Sequence, residues 1–222
     1  MGDHLRVEFH CHTNHSPDSL SSVADLLQIC RQRGIDRLVL TDHNTITGAL
    51  AAKALDPERV IIGEEIMTQE GELLAAYVQE EVPKGLPAVQ AINLLRAQGA
   101  FISVSHPFDV TRSGHWQERD LLDILPLIDA IEIFNARCFP PAFNRKADWF
   151  AQTHDIHGTA GSDAHAVFEV GKATMLLPAF EDAESFRKSL PEAKFAVSYF
   201  PPWVRLTSRY AVLRKKLTPK RQ

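Results

Sequence analysis

Six apolar runs in this 222-residue chain each break off into side chains that ligate metals. The runs 5–9, 37–40, 60–62, 101–104, 130–134 and 157–160 read as buried strands. They deliver, in turn, His10-Cys11-His12, Asp42-His43, Glu64-Glu65, Ser105-His106-Pro107, Asn135 and Asp163-Ala164-His165. Helical patterns lie between most of them, and strands alternating with helices imply a parallel sheet with crossover helices. An open sheet gathers its ligands at one switch point, whereas a barrel brings the C-terminal ends of all its strands onto one face. Polar clusters after six separate strands therefore predict an α/β fold closed as a TIM-like barrel, with one ligand-bearing rim.

The connecting segments agree. Ser22 with Asp25 three residues on is a weak capping box for a helix with Val23, Leu26, Leu27 and Cys30 at helical spacing, closed by Gly34. Further helices are expected from Asn44 or Thr45 to residue 55 and over 88–98, 118–125, 141–153 and 183–190, with a last core strand over 173–177. Glu70-Gly71 reads as a turn into a strand over 73–78, so this pair forms a hairpin-like excursion rather than a β/α unit.

At 45% hydrophobic residues the chain can bury a substantial core as one domain. No apolar stretch approaches the roughly 18 residues of a membrane span, and the polar start lacks a secretory signal layout, so the expectation is a cytoplasmic protein with no membrane partner. Three cysteines without C-x-x-C spacing argue against a disulfide framework. Strand alternation puts His10 and His12 on one face and Cys11 on the other, as a core residue. Residues 201–222 stand apart: they hold seven Lys or Arg and no acid, leaving 17 basic against 28 acidic residues, −11, over the first 200. This basic C-terminal tail, with Trp203 and Tyr210 interleaved, suits a short nucleic acid or an anionic surface, or equally a solvated helix or a protomer contact.

His-x-His at a strand end places two imidazoles on one face, and Asp163-x-His165 repeats that geometry beside the small residues Gly161 and Ser162. With His43, Glu65 and His106 there are seven N/O ligand candidates, which suits two or three divalent ions bridged by carboxylate and water. Imidazole mixed with carboxylate and no thiolate favours Mn2+, Fe2+ or Zn2+ over Ca2+. Such a centre supplies hydroxide at neutral pH and clamps the oxygens of an in-line displacement at phosphorus, so phosphate-ester hydrolysis is the natural chemistry.

The segments Phe9-His10-Cys11-His12-Thr13, Leu40-Thr41-Asp42-His43-Asn44-Thr45, Gly63-Glu64-Glu65-Ile66, Ser105-His106-Pro107-Phe108 and Gly161-Ser162-Asp163-Ala164-His165 resemble the motifs of the PHP (polymerase and histidinol phosphatase) family. The resemblance spans about residues 5–177. It implies a distorted (β/α)7 barrel of one domain over 1–200. It also implies His10, His12, Glu65 and Asp163 on a first metal, Glu65 bridging to a second with His106, and His43, His165 and Asp18 on a third. His15 is the alternative to Asp18, and Glu72 the nearest substitute for a histidine that some relatives place after the bridging glutamate. His106, Asp163 and His165 are then the candidate catalytic residues, a group near the last two protonating the leaving alcohol. Arg112, His115 and Arg137 lie just beyond ligand-bearing strands and are candidates to grip phosphate. Asp42 is either an orienter of a metal-bound histidine or a helix cap, and Glu64 is expected to face away from Glu65.

The resulting expectation is a metal-dependent phosphoesterase acting on nucleotides, as nucleoside mono- or 3′,5′-bisphosphates, or on the 5′ ends of short oligonucleotides. The alternatives are a histidinol-phosphatase-like enzyme, a metal-dependent amidohydrolase and a non-catalytic nucleic-acid-binding module. The amidohydrolase reading is weakened because no Lys follows the strands ending at 104 or 134.

Overall fold

A computed structural model describes residues 4–217. The strands are β1 His4–Glu8, β2 Arg37–Leu40, β3 Val60–Met67, β4 Glu72–Ala76, β5 Phe101–Val104, β6 Ala130–Asn135, β7 His157–Gly161, β8 Ala173–Pro178 and β9 Lys194–Val197. The helices are α1 Val23–Gln32, α2 Thr47–Leu55, α3 Ala88–Ala97, α4 Glu118–Ile124, α5 Ala142–Thr153, α6 Ala183–Ser189 and α7 Arg205–Leu217. All strands join one sheet in the order β7-β6-β5-β4-β3-β2-β1-β8-β9. β1, β2 and β3 pair in parallel, as do β5, β6 and β7, while β4 runs antiparallel to both of its neighbours. The hairpin expected at Glu70-Gly71 is this β3–β4 pair.

Beyond its strands the sheet curls shut. Cys11 pairs in parallel with Ala164, whose N–H donates to His10 O at 3.2 Å and whose carbonyl accepts from His12 N–H at 2.9 Å. The closure thus falls on the two motifs richest in ligands, and it makes the sheet a distorted barrel. One strand end differs from expectation: β3 continues to Met67 because its second half is held by β4, so Glu65 lies inside a strand rather than after one.

The interior is plugged by aromatic packing. Phe9, Phe101, Phe180 and Phe186 are buried, with Phe186 of α6 stacked on Phe9 at 5.7 Å between ring centroids and edge-on to Phe101 at 4.8 Å and Phe180 at 4.9 Å. Outside, α1 and α2 cover β2 through Leu26, Leu27, Cys30, Ala49 and Ala52, and Cys11 belongs to this apolar layer. Ser22 caps α1, its hydroxyl accepting from Asp25 N–H, and Gly34 supplies the positive φ of 62° that ends it. No helix among the described residues is long and apolar enough to cross a membrane.

The basic segment is docked rather than detached. After a 3-10 turn, Pro202–Val204, α7 lies across the ligand rim. Arg205 pairs with Asp109 at 2.5 Å and donates to Thr111 Oγ1 and to Arg137 O, Thr207 donates to Glu169, and Lys215 donates to Asn14 O at 2.7 Å. These contacts reach loops after β1, β5, β6 and β7. Lys220 and Arg221 lie outside the described residues.

Candidate metal centre

Four buried atoms face one another with no hydrogen-bond partner: His10 Nε2, His12 Nε2, Glu65 Oε2 and Asp163 Oδ1. The His10 nitrogen is 3.3 Å from the Glu65 oxygen and 3.5 Å from that of Asp163, and the His12 nitrogen is 3.4 and 3.3 Å from the same two. A tetrahedral ion with bonds of about 2.1 Å has ligand–ligand edges of about 3.4 Å. Leaving four buried polar atoms unsatisfied is costly, and a divalent cation between them satisfies all four at once. The donor set fits the expected metal.

Each ligand is oriented by the atom it turns away from the cluster. His10 Nδ1 is 2.9 Å from Glu132 Oε1, which fixes the proton on that nitrogen and leaves Nε2 free. His12 Nδ1 donates to Ser16 Oγ at 3.1 Å, and Ser16 in turn donates to Asp42 at 2.8 Å. Asp42 also accepts from Thr13 N–H and Thr13 Oγ1. It is therefore an orienter at one remove and not a helix cap, α2 being preceded by Ile46. Asp163 Oδ2 accepts from Asn135 Nδ2 at 3.2 Å and pairs with Arg112 at 2.6 Å, which reserves Oδ1 for the cluster. Asn135 thus helps to orient Asp163.

Glu65 divides its oxygens. Oε2 faces His10 and His12, and also His43 Nδ1 at 3.1 Å, while Oε1 accepts from Ser105 Oγ at 2.7 Å and lies 3.3 Å from His106 Nε2. Glu72 closes the second group, 3.5 Å from His106 Nε2 and 3.8 Å from His43 Nδ1. Gly114 lets it reach there, since a Cβ would stand 2.1 Å from the Glu72 carboxylate. A third group joins Asp18 to His165 Nε2 at 2.9 Å and to His43 Nε2 at 3.6 Å. His15 is exposed, outside this gathering, because the loop turns its ring to solvent. Glu64 faces away from Glu65, accepting from Val82 N–H.

Electrostatics mark the site as built for cations. Burial works against charge on Glu65 and Asp163, yet His10 and His43 hold the first well below the usual carboxylate range, and Arg112 and His10 the second. Burial likewise opposes charge on His43, but Glu65, Asp18 and Glu72 push it up to about 10. Burial, with His165 and His43 nearby, drives His12 down to about 4. Without metal, then, some imidazoles carry protons that offset the carboxylates. Positive φ at Asn44, His106 and Asp163 puts backbone strain on the same rim.

The cluster opens into a cavity of about 250 Å3 lined by Asp18, His43, Thr111, Arg112, Arg137, His165, Arg205, Ser208 and Arg209. Arg112 and Arg137 both line it, although Arg112 is engaged with Asp163, and buried Arg137 packs its Nη1 on His165 at 2.5 Å and its Nε 3.3 Å from Glu169. His115 does not reach it; its ring turns back to Arg112 O at 2.6 Å. Glu132, Glu8 and the α7 side chains were not anticipated. For the two glutamates a signal existed: each is a lone acid inside an apolar strand. Glu8 is buried and accepts from Ser162 N–H and Gly171 N–H, tying β1 to the Asp163 loop.

The sequence profile of the PHP domain matches residues 8–115, and that of the PHP-associated segment matches residues 141–195. An uncharacterized protein of Methanocaldococcus jannaschii is 34% identical over 172 residues, covering 76% of this chain and 69% of its own length. Two solved structures share the fold. One is a two-domain protein of Bacteroides vulgatus containing a predicted PHP-like metal-dependent phosphoesterase, with a TM-score of 0.72 and 17% identity; the match covers 89% of this chain and 66% of that one. The other is a lesion-specific endonuclease of Pyrococcus furiosus, with a TM-score of 0.60 and 13% identity over 90% of this chain and 60% of that one. A curled sheet closed on its own ligand motifs, with the two profiles matching over residues 8–115 and 141–195, identifies the chain as a member of the PHP domain family.

Proposed function

We propose that this protein hydrolyses phosphate esters with two or three divalent ions, Mn2+, Fe2+ or Zn2+, and that its substrates are nucleotides or the 5′ ends of short oligonucleotides. The observation that carries the reading is the set of four buried, partnerless ligand atoms beside a basic cavity. His10, His12, Glu65 and Asp163 would hold one ion, Glu65, Glu72 and His106 a second, and Asp18, His43 and His165 a third. Ions so held supply Lewis acidity toward a phosphoryl group and a water acidic enough to attack it at neutral pH.

The protein's own groups do the rest. Arg112 and Arg137 set fixed positive charge at the cavity wall, where the non-bridging and leaving oxygens of a bound ester gain charge. Arg112 holds the Asp163 carboxyl ionised against its burial, so the leaving alcohol would take its proton from a group near Asp163 or His165 and not from this carboxyl. Arg209 of α7 also lines the cavity and makes no ion pair among the described residues, so it is the cation free to meet a second phosphate or a nucleotide chain. Since α7 is stapled to four rim loops, deleting it would disturb the site as well as substrate contacts, and a point substitution is the cleaner probe.

The test is a panel of esters assayed with Mn2+ and compared by kcat/KM: an aryl phosphate, nucleoside monophosphates, 3′,5′-bisphosphates, histidinol phosphate and short 5′-phosphorylated RNA. Nucleotide substrates are expected to lead by at least tenfold over histidinol phosphate. Absence of phosphate release from every ester by metal-reconstituted protein would refute the proposal.

A further inference from the structure

The outer face of α7 carries an apolar stripe that holds none of the candidate metal ligands, although Tyr210 within it borders a cavity beside His165. Leu206, Tyr210, Leu213 and Leu217 project from it, preceded by Trp203 in the 3-10 turn, and each is more than half exposed. Their spacing alternates three and four residues, the a/d pattern of a coiled-coil seam. The opposite face is committed to the body: Val204 and Ala211 are buried, while Thr207 and Lys215 bond to the rim loops. The stripe therefore cannot turn inward while the rim contacts hold. Both family profiles end before it, at residues 115 and 195, so the helix is additional to the segments they match.

Three physical facts select the occupant. The stripe is a narrow seam, about 60° wide on the helix, which suits another helix; an interfacial membrane helix carries a broader apolar face. The positions flanking the seam are Thr207, Arg209, Arg214 and Lys216, three cations and no acid; Arg209 also borders the metal cavity and Arg214 donates to Tyr210 Oη at 3.1 Å, and pairing with an identical helix would still set like charges against each other. The five side chains expose roughly 500–600 Å2, below the roughly 800 Å2 per partner of a standard stable interface, so the contact needs charge pairs at its flanks as well, which an identical helix cannot supply. We infer that α7 is a docking ridge for an amphipathic helix of another protein, one whose own apolar 3-4 seam is flanked by Asp and Glu.

The probe is a synthetic peptide of about three heptads with Leu and Ile at a and d and Glu at every e and g, beside a control with Lys at those positions. Binding to the full, metal-loaded chain is followed by anisotropy of a dye on the peptide. The Glu peptide is expected to bind at least tenfold more tightly than the Lys peptide, and its affinity to fall about tenfold between 0.05 and 0.5 M salt. Leu213→Glu should abolish binding while leaving the melting temperature and aryl-phosphate hydrolysis unchanged, since Leu213 touches neither the core nor the cavity. Four results would overturn the inference: no binding of either peptide; equal binding of both; a concentration-dependent dimer that Leu213→Glu dissolves, which would make a second copy the occupant; or binding to phosphatidylserine vesicles or single-stranded oligonucleotide that the same substitution abolishes in place of peptide binding.

Discussion

Glu132 lies outside the candidate metal ligands and yet should control the affinity of one metal. Its Oε1 holds the His10 Nδ1 proton at 2.9 Å, and its Oε2 accepts from His106 N–H at 2.8 Å and from Asn135 Nδ2 at 3.0 Å. Three donors converge on one carboxylate. In Glu132→Gln the amide NH2 must face either the His106 and Asn135 donors or His10. The first choice sets donor against donor. The second forces the His10 proton onto Nε2, the atom that faces Glu65 and Asp163. Either way the first ion should bind about 10–100-fold more weakly, the usual effect of losing a group that orients a metal-bound histidine, or about 1.4–2.7 kcal/mol. Glu132→Ala should fall in the same range with some added loss of stability from three unpaired buried donors. Mn2+ and Zn2+ affinities by chelator competition would measure it, alongside metal-free melting temperatures as a folding control. If the Gln variant folds normally and binds metal as tightly as the parent, His10 is not oriented by Glu132 for metal binding.

Removing metal with a chelator should lower the melting temperature, and restoring Mn2+ should recover it; at a hundredfold excess over Kd the recovered stability is about 2.7 kcal/mol per independent site. An unchanged melting curve would mean that the orphaned ligand atoms hold nothing. Asp163→Ala should cut ester hydrolysis by at least about 1000-fold and reduce bound metal by one ion per chain, read by elemental analysis. Arg209→Ala is expected to raise KM several-fold for nucleotides and short RNA while sparing small aryl phosphates, and equal loss on both classes would show that Arg209 serves the fold instead. Phe186→Ala should cost about 3–5 kcal/mol in denaturant unfolding, since Phe186 packs on Phe9, Phe101 and Phe180 inside the barrel; a cost under 1 kcal/mol would contradict that packing.

What the amino-acid order determined by itself was local. His10 and His12 share a face because side chains alternate along an extended segment, Gly34 ends a helix because it tolerates positive φ, and the β/α alternation ordered the barrel. None of these needs a distant residue. Tertiary structure decided which atom of each ligand faces which neighbour. Glu132 meets His10 across 122 residues, Ser162 meets Glu8 across 154, and Lys215 meets Asn14 across 201. A buried acid in an apolar strand shows in the sequence only as an oddity, because its partners are set by closure of the barrel. The same holds for residues 205–217, whose composition reads as a basic tail and whose place on the rim follows from four contacts to loops far away in sequence. The ligand types of the first rim were local; their tuning, and the helix that walls them, came from packing.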